Sequence, residues 1–206
     1  IDYGLNETDY FSKSDYDESD LIFYRLPDAK EMKNRGILFR WFSYYKNWVP
    51  QENYYYATEH TKFEANPRGR SEGTYSKYAS IDDQMDGFHF YMAFMKFGIA
   101  RATSDSAHEV RDKHIDRKEG AVLVKQYDGE FPKQWYSDFL EYLGIDEYSF
   151  WEAVEKFRSN HIWKYEQGHW ILRKTVWEEY DFAIEPIYLK LPEGSQKHID
   201  QILNRQ

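Results

Sequence analysis

After residue 80, apolar positions recur mostly at helical spacing, and only one stretch follows the strand period. Ile81, Met85, Phe88, Met92 and Met95 alternate steps of four and three, which places them on one face of a helix. Ser80 with Asp83 three residues on resembles a capping box, so this helix is predicted to start near Ser80 and to end at Gly98. Thr103 or Ser104 suits the cap of the next helix, which runs to about Arg111. Asp116 and Glu119 repeat the capping-box pattern for a helix closing at Asp128 and Gly129. Pro132 opens a segment whose Trp135, Phe139, Leu140 and Leu143 share a face before Gly144. Asp146 caps a further one, with Phe150, Trp151, Val154 and Phe157 inward. Such a succession of short helices predicts a mainly α fold, an orthogonal helical domain.

The flanks read differently. Residues 28–35 form a short predicted helix between Pro27 and Gly36, and residues 51–60 look helical. Between them, residues 37–49 run apolar and aromatic up to Pro50, and a buried strand or a helix would suit them equally. Residues 64–73 hold Pro67, Gly69 and Gly73 and read as a loop. Residues 162–173 alternate around Gln167 and Gly168, which predicts a small β-hairpin with Trp163, Tyr165, Trp170 and Leu172 as cross-strand candidates. Three regions are expected: an acidic loop or linker over residues 1–25, a helical region over 26–177, and a C-terminal extension over 178–206 that packs on a partner. The first region starts without methionine and carries Asp2, Glu7, Asp9, Asp15, Asp17, Glu18 and Asp20 with little periodicity, so the chain reads as a segment of something longer.

Composition narrows the function class. The chain has 206 residues, of which 19% are aromatic, including Tyr 19, so large rings with polar tips build the core and need partners where they are buried. A formal net charge of -9 argues against a nucleic-acid backbone as partner, because phosphate tracking needs a basic face. The absence of cysteine removes disulfides, thiolate metal sites and cysteine nucleophiles together. With no apolar run near the roughly 18 residues of a membrane span and no signal-peptide pattern, the cytoplasm is the expected compartment.

Candidate chemistry lies on the helix predicted after Ser80. Asp82, Asp86, His89, Ala93 and Lys96 recur at four, three, four and three, so they form one polar stripe on an otherwise apolar helix. The stripe is either a network of buried partners, with Asp86 and His89 paired to each other or to tyrosines, or one wall of an anion site. In the second reading Lys96 and Arg101 bind phosphate, the acids hold magnesium or polar substrate groups, and the amides of the helix after Arg101 attract the anion. Asp105 in that first turn counts against it. Arg68 and Arg70 could clamp an anion or sit in a solvated loop, and the run Tyr54, Tyr55, Tyr56 could stack a sugar or base or simply pack. His108 and Glu109 point apart as neighbours on a helix, and His60, His114, His161, His169 and His198 show no two-ligand spacing. GxSxG, Walker and GxGxxG motifs are absent.

The stretches "GTYSKYASIDDQMDGFHFYMAFMKFGIARATSDSAHEVR", "KEGAVLVKQYDGEFP" and "FLEYLGIDEYSFWEAVEKFR", in that order, resemble the carboxyl-terminal half of the N-acetyl sugar amidotransferases of bacterial surface-polysaccharide and flagellar-glycan synthesis. The resemblance covers roughly residues 26–177. It implies an ATP-pyrophosphatase reaction that converts an acetamido group on a nucleotide-activated or related sugar to acetamidino, with ATP and magnesium as cofactors. Ammonia would come from a glutaminase with a cyclase-like partner subunit. Carried onto this chain, the resemblance implies catalytic roles for Asp86 and His89 and substrate or phosphate contacts from Lys96, Arg101, Asp82 and Asp105, with metal ligands unassigned. The family's serine-glycine-glycine-x-aspartate-serine pyrophosphate loop and amino-terminal cysteine pair do not occur in these residues, so this chain alone is not expected to turn over ATP. The alternative expectation is a non-catalytic helical module that binds a partner protein through its aromatic surface and acidic arm.

Overall fold

The computed structural model describes Ser19 and residues 27–205, so the acidic segment expected over residues 1–25 lies almost wholly outside the described residues. Two compact units divide at the bond between Asn47 and Trp48. Among the described residues the fold is mainly α: eight helices and one two-stranded antiparallel hairpin. No helix there is long and apolar enough to cross a membrane.

In the first unit, Asp28 accepts a hydrogen bond from the Glu31 amide at 2.8 Å and caps α1, Ala29–Asn34. The aromatic run that follows is neither the buried strand nor the helix that its composition allowed. Only a 3-10 turn forms, over Phe42–Tyr44, and the side chains stand in the open, Phe39 at 80% exposure and Trp41 at 73%. Ser43, Arg40 and Lys46 interrupt both periods, and the rings satisfy one another locally, Phe39 edge-on to Trp41 and Tyr44 to Tyr45.

The second unit starts with α2, Pro50–His60, which carries Pro50 at its first turn. The helix expected from Ser80 instead begins six residues later, as α3, Asp86–Phe97. Ser80 adopts φ +52, and the Asp83 carboxylate accepts from the Met85 amide at 2.7 Å, so this Asp closes a local turn rather than a capping box. Gly98, at φ +70, ends the helix as its spacing predicts. The next helix, α4, Arg101–Arg111, starts two residues before its expected cap. The full reciprocal capping box of Asp116 and Glu119 opens α5, Arg117–Tyr127, with both hydrogen bonds at 2.8 Å. Then come α6, Tyr136–Leu143, and α7, Glu147–Phe157, the latter capped by Asp146.

The core gathers on α3 and α7. Phe88, Tyr91, Phe94 and Met95 from α3 meet Phe150, Trp151 and Val154 from α7, all with 3% exposure or less. Phe157, expected inward, is 43% exposed at the end of α7. Gly129, at φ +75, brings its backbone against the Phe94 ring, where an added Cβ would lie 2.3 Å from the nearest ring carbon. The hairpin pairs β1, Trp163–Glu166, with β2, His169–Leu172, in the register Trp163 with Leu172 and Tyr165 with Trp170. Its two-residue turn puts Gln167 and Gly168 both at positive φ, which suits the twist of an antiparallel ribbon. A buried ion pair at the end of α7, Arg158 to Glu155 at 2.9 Å, receives the hairpin: the guanidinium lies over the Trp163 and Trp170 rings, and the Trp170 indole donates to Glu155 at 2.8 Å. The segment after residue 177 enters the same core: Tyr188 packs on Phe94 and Trp163, and Ile199 and Ile202 of α8, Ser195–Leu203, are buried.

Candidate functional site

The amino terminus of α4 organises the chemistry. Its free amides attract an anion, and the chain supplies one itself: the buried Asp128 carboxylate accepts from the amides of Ala100 (2.9 Å), Ala102 (2.8 Å) and Thr103 (3.3 Å), and from the Thr103 hydroxyl (2.5 Å). The amides expected to draw a ligand phosphate are therefore already engaged. Burial pushes the Asp128 carboxyl above the usual carboxylate range, against the pull of these hydrogen bonds.

Arg101 opens α4 one turn ahead of Asp105, and its Nε stands 2.9 Å from the Asp105 carboxylate, with the guanidinium over the Phe90 ring. The same carboxylate accepts from the Thr74 hydroxyl at 2.6 Å. Thr74 is fully buried, and its hydroxyl oxygen accepts from the Ser76 amide. This chain of contacts ties the loop before α3 to the N-terminal half of α4.

Beside it lies a two-lobed cleft. Pro50, Tyr54, Tyr78, Asp105 and His108 line both lobes, whose volumes are about 230 Å³ and 430 Å³. The Tyr54 and Tyr78 rings stack at 4.5 Å with 12° between their planes, and the Tyr78 hydroxyl donates to Gln51 at 3.2 Å. Tyr75 lines the smaller lobe, with a buried hydroxyl that has no hydrogen-bond partner among the described residues. Burial, then the Asp105 and Glu109 carboxylates, push its hydroxyl far above the usual phenol range, and Tyr78 shifts the same way. Both phenols stay neutral donors at physiological pH. A cleft with aromatic walls, the Asp105 and Glu109 carboxylates and the unspent Tyr75 hydroxyl donor suits a polar ring bearing hydroxyl or amide groups.

The polar stripe expected on one helix is split. Asp82 lies on the exposed loop before α3, while Asp86 and His89 occupy the first turn, without a side-chain hydrogen bond among the described residues. His89 is exposed, and its ring stands edge-on to Phe90. The buried pairing of Asp86 with His89 is thus not formed. Ten residues separate Asp86 from Lys96, about 15 Å along the axis, so the two cannot hold one small group. Lys96 is exposed and stands over the Phe97 and Phe157 rings. Of the six candidates, only Arg101 and Asp105 come together. Arg70 is bound to Glu130, and Glu109 to His114 at 2.9 Å. No three carboxylate or imidazole groups among the described residues converge as a metal site.

Sequence reasoning missed Thr74, Tyr75 and Tyr78 as site residues. Their signal was the tyrosine pair within "GTYSKY", a stretch inside the loop before α3 that carried no helical or strand period. The family model described as LPS biosynthesis protein WbpG-like, C-terminal domain, matches residues 72–176. That span holds Thr74, Tyr75, Tyr78, Arg101, Asp105 and Asp128, whereas Tyr54 precedes it. No curated protein matches the chain.

Proposed function

The chain belongs to the family of WbpG-like C-terminal domains of LPS biosynthesis proteins, and from that premise we propose that it forms the sugar side of an ATP-dependent amidotransferase. In this reaction the oxygen of a sugar acetamido group attacks the α-phosphorus of ATP, an O–P bond forms and pyrophosphate leaves. Ammonia then adds to the activated carbon and loses a proton, the C–O bond breaks, and AMP departs to leave an acetamidino group. The match over residues 72–176 carries the reading.

The cleft beside α4 holds the sugar in this proposal. Tyr75 donates a hydrogen bond to it, the Tyr78 hydroxyl, whose proton goes to Gln51, accepts one, and Asp105 accepts from its hydroxyl or amide groups. Arg101, held by Asp105, sits where it lowers the cost of negative charge arriving with the adenylated amide. Asp86 and His89, which make no side-chain hydrogen bond among the described residues, line neither lobe of the cleft, and their role in taking the proton from ammonia rests on the family resemblance alone. ATP and magnesium are bound mainly by parts of the enzyme other than these residues, and the glutaminase and cyclase-like subunits deliver ammonia.

The test supplies ATP, magnesium, ammonium and acetamido sugar nucleotides to the enzyme carrying its nucleotide-binding domain. Expected products are AMP, pyrophosphate and the acetamidino sugar identified by mass. Arg101→Ala and Asp105→Asn should each lower kcat/KM by about a hundredfold. An enzyme that forms no acetamidino product from any such sugar sinks the reaction, and full activity in both variants removes these roles.

A second reading draws on the exposed aromatic run over residues 37–45, which resembles a protein-binding surface more than a solvated one. In it the chain is a non-catalytic interaction module. Capture of a partner protein with no sugar binding, and with no loss on changing Arg101, would favour that reading over the first.

A further inference from the structure

A second cavity, of about 170 Å³, is lined by the two ends of the loop whose middle lines the tyrosine cleft. Residues 66–72 and 80–84 form its walls, together with Gly87, Pro132, Gln134 and Trp135. Its frame is pinned. The Arg70 guanidinium donates to both oxygens of Glu130, the Gly73 amide donates to the same carboxylate at 3.0 Å, and the Gln134 amide donates to Glu72 at 3.0 Å. Gly87 lets α3 approach the opposite wall, since an added Cβ would stand 2.9 Å from the Pro132 ring.

Within that frame several polar groups are unspent. The Arg68 guanidinium lies over the Trp135 ring at 5.2 Å and pairs with no carboxylate among the described residues. The Asp82 carboxylate, the Ser80 hydroxyl and the side-chain amides of Gln84 and Gln134 make no side-chain hydrogen bond there either. The Asp83 carboxylate spends one bond on the Met85 amide.

These groups select a ligand by exclusion and by match. An anion would meet Glu72, Asp82 and Asp83 and is disfavoured, while a cation would meet Arg68, the one lining guanidinium not already paired with a carboxylate among the described residues. A neutral ring bearing several hydroxyls uses the donors of Arg68 and the acceptors of Asp82 together, with the amides serving either role. The cavity is below the roughly 300 Å³ of an ordinary small-molecule site, which leaves room for a single ring. We propose that this cavity binds one neutral sugar ring, a carbohydrate subsite separate from the tyrosine cleft. The choice of a sugar among neutral polyols rests on the polysaccharide reading above.

The test follows the indole N–H of Trp135 and the side-chain amides of Gln84 and Gln134 by NMR on the isotope-labelled chain. Three probes are titrated: methyl N-acetylglucosaminide, which is neutral, N-acetylglucosamine 1-phosphate and glucosamine. The neutral glycoside should shift these signals saturably, and Arg68→Ala and Asp82→Asn should each weaken its binding about tenfold, with the remaining spectrum unchanged. Two variants guard against one failing to fold. Absent shifts, shifts confined to Tyr75 and Tyr78, or tighter binding of either the phosphate probe or glucosamine would each overturn the subsite. Binding here without acetamidino formation by the complete enzyme would sink the reaction and leave the subsite standing, whereas turnover without binding here would sink the subsite alone.

Discussion

A single carboxylate decides what the start of α4 can do. Asp128 receives four hydrogen bonds there, and it is 1% exposed. An anion from solution would have to displace it. Asp128→Ala should leave buried donors unmatched and cost about 3 kcal/mol of stability, read from urea unfolding, because hydrogen bonds to a charged group are worth about 1.5–3 kcal/mol each. A loss below about 1 kcal/mol would mean that water replaces the carboxylate. The sign of its titration is unusual: with the folded pKa raised, the folded state holds its proton longer, so its contribution to stability falls as pH rises through that window.

Helix ends carry the opposite sign elsewhere. Asp146 caps α7 by accepting from the Ser149 amide at 2.8 Å, and hydrogen bonds from Ser149 hold its carboxyl below the usual range. Its stabilisation is present above the ordinary carboxylate pKa and is lost as pH falls through the lowered one. Asp146→Asn keeps a capping oxygen without the titration, so thermal melts between about pH 2 and pH 5 should show a shallower acid-side loss than the parent. Identical slopes would separate the cap from the acid response. The ends of helices were also where sequence reading did best and worst. Asp116, Glu119, Asp146 and Gly98 do what their spacing predicts, since each acts within one turn. Ser80 and Asp83 carry the same local pattern, yet a turn uses it instead, because the loop before α3 is pinned from a distance by Thr74, Asp105 and Glu130.

At the scale of the molecule, the last thirty or so residues complete the core. Tyr188, Ile199 and Ile202 bury their side chains among residues from α3, α7 and the hairpin. Burying three such side chains is worth about 1.5–3 kcal/mol each, which together approaches the whole stability of a domain. Deleting residues 178–206 should therefore abolish the cooperative thermal transition. A shortened chain that melts cooperatively within a few degrees of the parent would show that the segment is dispensable.

The fold class, the succession of helices between residues 80 and 157 and the hairpin with its turn followed from the sequence, because each rests on contacts between residues a few positions apart. The family resemblance likewise needed only the order of short stretches. The exposure of the aromatic run over residues 37–48 and the membership of the site were matters for tertiary structure. Periodicity put Asp82, Asp86, His89 and Lys96 in one line, but the helix starts after Asp82 and its length separates Asp86 from Lys96. Thr74 and Asp105 are 31 positions apart, Asp128 is 26 from Ala102, and Tyr54 stacks on Tyr78. No local pattern encodes such pairs. They exist because the loop ahead of α3 folds back onto α4, which sets who neutralises Arg101 and leaves the tyrosines facing a cleft.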